Sequence, residues 1–286
     1  MTIKVLTWNV GYGNGEPISI RRAAGITEVI AAAAPDLVCL QEVAGPQDAY
    51  AAELHSLAAA LGMQQRWAVA SRKKSLPVAV MWNPHRAELL SWDDSYADLF
   101  YHGAGIASFE VAGLGRPLSV ASVHLHPHSG NKRIDEASQF HMKADRGQLY
   151  IVAGDFNGLG PEHIDLEPNW SETRAGNVVA RTLPHRPGET PVGDRRVAWN
   201  MANVGFTDAC AGSGDLTPTG SHIRIDWILV SRALAPALAG YSVGDNTTVA
   251  RMSEAGQVAD GKRIAVSDHR PVWCLLDPAK VAGTAE

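Results

Sequence analysis

Short apolar runs alternate with longer amphipathic stretches along this chain, and most apolar runs end on a polar residue. Residues 3–10 read as a strand closing on a glycine-rich loop, Gly11-Tyr12-Gly13-Asn14-Gly15. Ala23, Ile26, Val29, Ile30 and Ala33 recur at helical spacing, which predicts a helix over 21–34 stopped by Pro35-Asp36. Leu37-Val38-Cys39-Leu40 is a short apolar strand delivering Gln41-Glu42-Val43, and Ala51, Leu54, Leu57, Ala58 and Leu61 predict a helix over 48–61 with Gly62 after its end. Strands follow at 77–82 and 118–125, then a polar-faced helix over 134–148.

The stretch on which the rest turns is Leu149-Tyr150-Ile151-Val152-Ala153-Gly154-Asp155-Phe156-Asn157-Gly158. It reads as a buried strand ending in a turn, with Asp155 and Asn157 two residues apart where the strand stops. On extended backbone such positions share a side, so a carboxylate and a carboxamide would face one pocket. The plainer reading is a strand-ending Asx turn. From Gly158 to about Trp199 the chain is rich in Pro, Gly, Asn and charge with little periodicity, the composition of a long functional loop. Two more strands, 223–230 and 271–276, close the pattern, and 277–286 reads as a frayed tail.

With 286 residues, 45% hydrophobic and 19% charged, the chain can bury a sizeable core, and no apolar run approaches membrane-spanning length. Mixed strands and helices, no internal repeat and no linker point to one domain over 1–286, its core about 3–276, built as two packed sheets with helices outside. A net charge of −5 gives no general field for a polyanion, which must be met by a local basic patch or a bound cation. Cys39, Cys210 and Cys274 are dispersed and odd in number, neither a disulfide framework nor a zinc spacing. A soluble protein of the reducing cytoplasm, with no evident protein partner, is the expectation.

Polar residues stand at strand ends throughout: Asn9, Glu42, His124, Asp155 with Asn157, Asp226, and Asp268 with His269. Each alone has an ordinary explanation as a turn former, a surface charge or a satisfied core histidine. Asp226 interrupts an apolar strand and, if buried, needs a partner, for which His269 is the candidate. Together, four carboxylates, two carboxamides and two imidazoles ending otherwise apolar strands describe a site.

The segments Thr7-Trp8-Asn9-Val10, Leu40-Gln41-Glu42-Val43, Val123-His124-Leu125, Gly154-Asp155-Phe156-Asn157, Arg224-Ile225-Asp226-Trp227-Ile228 and Ser267-Asp268-His269-Arg270-Pro271-Val272 resemble, in order and spacing, the endonuclease/exonuclease/phosphatase (DNase I-like) superfamily. The resemblance implies a four-layer α/β sandwich, two mainly antiparallel β-sheets packed face to face with helices on both outer faces. It implies a divalent-metal-dependent phosphoester hydrolase, first a phosphodiesterase or nuclease acting by in-line attack of an activated water. A phosphatase or phosphodiesterase for a small-molecule or lipid-headgroup phosphoester is the alternative. An inactive binding module of the same fold is the third reading, and it would need a broken core position where none is seen.

In the roles implied, Glu42 is the principal ligand of Mg²⁺ or Mn²⁺, with Asn9 and Asp268 in support. Asp155 and Asn157 hold the attacking water, Asp226 holds His269, and His124 meets the phosphate. Either Asp155 or His269 can be the base. His126, Arg72, Arg174 and Arg181 are further candidates for substrate contact. Two departures bear on substrate: Ala44 replaces a basic residue common in DNA-cleaving relatives, and Gly11 stands where AP endonucleases place an acid. The basic groups Arg72-Lys73-Lys74, Lys132-Arg133 and Arg195-Arg196 read first as solvated loop charges.

Overall fold

Side-chain alternation along the strands decides the layers. In the computed structural model, which describes residues 2–11, 20–43, 50–72, 75–144, 147–220, 222–245, 248–252 and 258–281, odd-numbered residues of strand β1 (Ile3–Asn9) face one way and even-numbered ones the other. Ile3 and Val5 join an apolar layer between two sheets, whereas Leu6 and Trp8 join a second layer under the helices α1 (Ile20–Ala33) and α2 (Tyr50–Ala60). Strand β2 (Leu37–Gln41) divides likewise, Leu37 and Cys39 inward, Val38 and Leu40 toward the helices. Being apolar on both faces, these strands read as unbroken apolar runs.

The first six-stranded sheet runs β11 (Leu238–Val243), β14 (Val272–Leu276), β1, β2, β4 (Val78–Trp82), β3 (Gln64–Ala68). The second runs β5 (Ala87–Asp93), β6 (Gly103–Val111), β7 (Leu118–His124), β8 (Leu149–Asp155), β10 (Asp226–Val230), β9 (Thr207–Asp208). Strands β12 (Thr248–Met252) and β13 (Val258–Ala265) form a separate hairpin. Among the described residues β1–β2 and β7–β8 are parallel and the other pairs antiparallel. On the far side of the second sheet, α3 (Gly130–Ser138) and α5 (Arg196–Asn203) cover Tyr150, Val152 and Trp227. The result is the four-layer α/β sandwich that the resemblance implied.

Thr7, Gln41 and Ser122 bring buried polar groups into the space between the sheets. Gln41 Nε2 donates across the gap to Ser122 Oγ (3.2 Å) and also to Thr7 Oγ1, while Ser122 Oγ donates to Leu40 O. A buried bond of this kind contributes about 1 kcal/mol net, less than burial of one large apolar side chain. The apolar layer therefore supplies the cohesion, and the Gln41–Ser122 bridge fixes how the two sheet ends face each other.

Several element boundaries differ from the sequence reading. The helix expected over 134–148 is α3, begun earlier because Ser129 accepts from Lys132 N as its N-cap, followed by a 3₁₀ turn at His141–Lys143. The strand expected from 223 begins at Asp226, since Ile223 pairs with Gly220 in an isolated bridge. Strands β3, β5 and β11 were not anticipated: all three lie at sheet edges, with polar or mixed faces that blur alternation. β6 was missed because Gly103, Ala104 and Gly105 dilute its apolar signal.

The irregular stretch after Gly158 carries the short helix α4 (Ala175–Arg181) as well as α5. It is held by charges: Arg224 meets Asp165 and Asp208 in a buried triad, Arg195 meets Glu167, and Arg196 meets Asp194. Ala44, Lys73, Lys74, the loop 12–15 and the tail beyond 281 lie outside the described residues. No helix among the described residues is long and apolar enough to cross a membrane.

Candidate active site

The inward-facing stripe of both sheets continues past its apolar part into Asn9, Gln41, His124, Asp155 and Asp226, all buried. These residues keep the parity of the inter-sheet core, so the strand pleat itself aims them into one space. Registers align them: Asn9 lies beside Gln41 on β2, His124 beside Asp155 on β8, and Asp155 opposite Asp226 on β10.

Glu42, an even-numbered position after β2, would face the helices if its strand simply continued, and Asn157 follows the turn that ends β8. Both break the pleat with positive φ, +54° and +50°, a conformation that costs a non-glycine residue about 1 kcal/mol or more. Local strain of this kind is kept where surrounding structure over-determines it. Gly154 is required for a related reason: its φ is +154°, and a Cβ there would overlap the Val123 carbonyl oxygen on β7. Gly11 packs against Glu42 so closely that a Cβ would overlap the carboxylate, leaving no room for an acid at that position.

Asp155 is the hub. Its Oδ1 accepts from Asn157 N at 2.8 Å, the Asx turn of the plainer reading. Its Oδ2 accepts from Asn9 Nδ2 at 3.1 Å and lies 3.5 Å from His124 Nε2 and 3.9 Å from His269 Nε2. Asn9 Nδ2 also reaches Glu42 Oε1 at 3.3 Å, and its Oδ1 is taken by Gly11 N, so the amide nitrogen is what faces the two carboxylates. Asn157 Nδ2 donates to Leu125 O, and its Oδ1 accepts from Arg181 Nη2 at 2.7 Å.

Asp226 and His269 hold each other, Oδ2 to Nδ1, at 2.8 Å. Burial pushes the Asp226 carboxyl up. Burial would lower His269, but Asp226 first, then Asp155 and Asp268, raise it to about 10. Both directions say that a proton stays on the pair through neutral pH. The backbone of His269 is fixed by Ser267 Oγ, which accepts from its N, and by Trp8 Nε1, which donates to its O. His124 is the opposite case: burial, then the charges of His269 and Arg181, push it down to about 3. As a neutral imidazole it keeps its Nε2 3.5 Å from Asp155 Oδ2, with its ring stacked on His102 (4.1 Å) and its Nδ1 unpartnered.

Glu42 is the most exposed of the carboxylates Glu42, Asp155 and Asp226, its side chain 22% exposed. Burial raises its pKa against the lowering effect of His269, and Asp155 and Asp268 add to the rise. Such an excess of carboxylate charge, presented on oxygen donors, fits a hard divalent cation. Asp155, Asp226 and His269 also bring ligand atoms within 4.8 Å of one another. Of these three, Asp226 and His269 are engaged with each other, while Asp155 shares the Asn9 amide with Glu42. The three cysteines are buried and bring no thiol to this donor set. Asp268 is exposed, with an electrostatic influence on Glu42 but no contact to it among the described bonds.

A model of the Endonuclease/Exonuclease/phosphatase family matches residues 6–269, from the first strand to this histidine. The chain belongs to that family. No curated protein matches it. Among solved structures, the Endonuclease/Exonuclease/phosphatase protein of Bacteroides vulgatus is 14% identical, over 97% of this chain and 99% of that one, with a TM-score of 0.65. The mannosyl-6-phosphatase of Bacteroides thetaiotaomicron is 15% identical, over 96% and 99%, with a TM-score of 0.62. The 3′ phosphatase of Neisseria bound to a product DNA hairpin is 20% identical, over 96% and 99%, with a TM-score of 0.60. At these identities the likeness is one of fold.

Of the four further candidates, only Arg181 enters this Endonuclease/Exonuclease/phosphatase site. Arg174 is exposed at the start of α4, and Arg72 is exposed with its guanidinium 5.3 Å from the Tyr101 ring centre. His126 does not share the face of His124, because β7 ends first; its ring sits 4.5 Å from Tyr101, and its backbone N donates to Glu136. His102, Gln41 and Ser122 were missed in the sequence, as isolated polar residues in apolar strands or turns carry no spacing signal.

Proposed function

We propose that this chain is a divalent-metal-dependent phosphoester hydrolase, in the first place a phosphodiesterase or nuclease, using a water activated at Asp155. Phosphoesters resist attack because their anionic oxygens repel a nucleophile, so charge neutralisation and positioning are what a site must supply. Glu42, with Asn9 and Asp268 nearby, would hold Mg²⁺ or Mn²⁺, which when bound supplies positive charge to the phosphoryl oxygens. Asp155 takes the proton of the attacking water on Oδ2, since Oδ1 is occupied by Asn157 N. Asn9 spaces the Glu42 and Asp155 carboxylates through its two donated bonds.

His269, protonated through neutral pH, donates from Nε2 to the phosphoryl group while Asp226 keeps the other proton on Nδ1. That charge state favours Asp155 over His269 as the base. His124 adds a neutral Nε2–H donor, and Asn157 steadies the water. One observation carries this reading: nitrogens from separate strands and a loop, Asn9 Nδ2, His124 Nε2 and His269 Nε2, lie 3.1, 3.5 and 3.9 Å from the single oxygen Asp155 Oδ2.

A small-molecule or lipid-headgroup phosphoester is the second reading. It is favoured by the placement of the arginines considered for substrate, of which Arg72 and Arg174 stand away from Asp155 and Arg181 is engaged with Asn157. A panel of plasmid DNA, single-stranded DNA, RNA, a generic phosphodiester and a generic monoester, with Mg²⁺ or Mn²⁺ and with chelator, tests both. Metal-dependent turnover of at least one ester is expected. Steep salt dependence marks a polyanion contacted at many phosphates, and a shallow response marks a small ester. No turnover of any ester with either metal rejects the proposal.

A further inference from the structure

Among the described residues, Arg181 is a strong cation that the fold delivers to the reacting centre from outside the strand-end motifs. It ends α4, in the irregular segment, and its main chain is clamped on both sides. Arg133, almost wholly buried, donates from Nη2 to Ala180 O (2.8 Å) and from Nη1 to His126 O (3.1 Å), tying the helix end to the loop after β7. Asp194 N donates to Arg181 O at 2.8 Å, and Thr182 pairs with Gly193 in a bridge. A flexible side chain is thus mounted on a rigid base, as positioned groups require.

The guanidinium is under-used. Of its donors, Nη2 bonds to Asn157 Oδ1, while Nε is buried without a partner. Burial pushes its pKa down, opposed by the nearby charges of Asp155 and Asp226, neither of which bonds to it. Buried polar groups in folded proteins are nearly always satisfied, and a planar fork with an unpaired Nε is shaped for two oxygens of one anion. If its task were to hold Asn157 alone, one uncharged donor would serve.

We propose that Arg181 is a catalytic residue that grips the phosphoryl group under attack, holding its non-bridging oxygens from beside Asn157. This rests on the hydrolase reading above and adds to it a third positive contact, after the cation and His269. The substrate chemistry it selects is a phosphate dianion or diester anion rather than a neutral ester. Charge gathered by such a clamp accumulates most in the transition state, so its loss falls mainly on turnover.

Three variants separate gripping the phosphoryl group from steadying Asn157. Arg181→Gln retains an N–H donor for Asn157 without the charge, Arg181→Lys retains charge without the fork, and Arg181→Ala removes both. Kinetics with Mg²⁺ on whichever ester is turned over, inhibition by inorganic phosphate, and thermal melting are compared, with Asp155→Ala alongside. The expected result is a loss of about a hundredfold or more in kcat for Ala and Gln alike, partial activity for Lys, and inhibition by phosphate weakened about tenfold or more. Added guanidinium ion is expected to restore part of the activity of Arg181→Ala, a rescue that a merely structural role would not give. Near-full activity in Arg181→Gln overturns the inference while leaving the hydrolase reading intact, provided Asp155→Ala is dead. Full activity in both Asp155→Ala and the Arg181 variants overturns the reading beneath it.

Discussion

Asp155→Asn is expected to lower kcat by about two to four orders of magnitude, the range for losing a general base, with little change in melting temperature. The asparagine keeps an oxygen for the bond from Asn157 N, so the turn that ends β8 survives. What goes is the negative charge on the atom toward which Asn9, His124 and His269 converge. The new amide group would present either N–H donors to those three nitrogens or an uncharged oxygen that cannot take a proton from water. Steady-state kinetics beside a thermal melt checks this. Turnover within a few-fold of the parent, with the fold intact, removes Asp155 from the chemistry.

Asp226→Asn is expected to move the basic limb of the pH–rate profile downward. In the parent, burial disfavours the His269 cation, and Asp226 does most to restore it, bringing the pKa to about 10. If the imidazolium is the active form, activity persists until pH approaches that value. With Asp226 neutralised, burial is opposed only by Asp155 and Asp268, so His269 loses its proton at lower pH, and activity falls from that lower limb. The loss should therefore be largest at alkaline pH, about a hundredfold, and shrink on acidification. Stability has the same sign: a histidine with a raised folded pKa contributes fully below its unfolded value of 6.5 and loses that contribution as pH rises through about 10. The melting-temperature gap between parent and Asp226→Asn should accordingly narrow as pH rises across that window. An unchanged basic limb would detach His269's charge from catalysis.

The central strands were legible because burial on both faces leaves them continuously apolar, and the polar residues that end them stand out against that background. Asn9, Glu42, Asp155 and Asp226 are readable for this reason, each following or opening an apolar run. Edge strands β3, β5 and β11 were not, since an edge needs only one covered face and takes polar residues freely. Within the site, pairwise geometry was beyond the sequence. That Glu42 turns inward by a positive φ, that His102 stacks under His124, and that Arg181 comes back to Asn157 across 24 positions are tertiary facts. Arg181 differs from Arg174 by seven positions, one whole α4 length, and nothing local tells which end of that helix meets the strands.

The central claim is that strand ends from both sheets gather around one hard-cation site whose principal ligand is Glu42. Titrating Mn²⁺ into the parent and into Glu42→Gln, followed by calorimetry or by the paramagnetic signal of the ion, tests it most directly. Saturable binding to the parent, weakened at least about tenfold in Glu42→Gln together with metal-supported hydrolysis, is the predicted result. Equal affinity in the two proteins, or no binding to the parent, would contradict it.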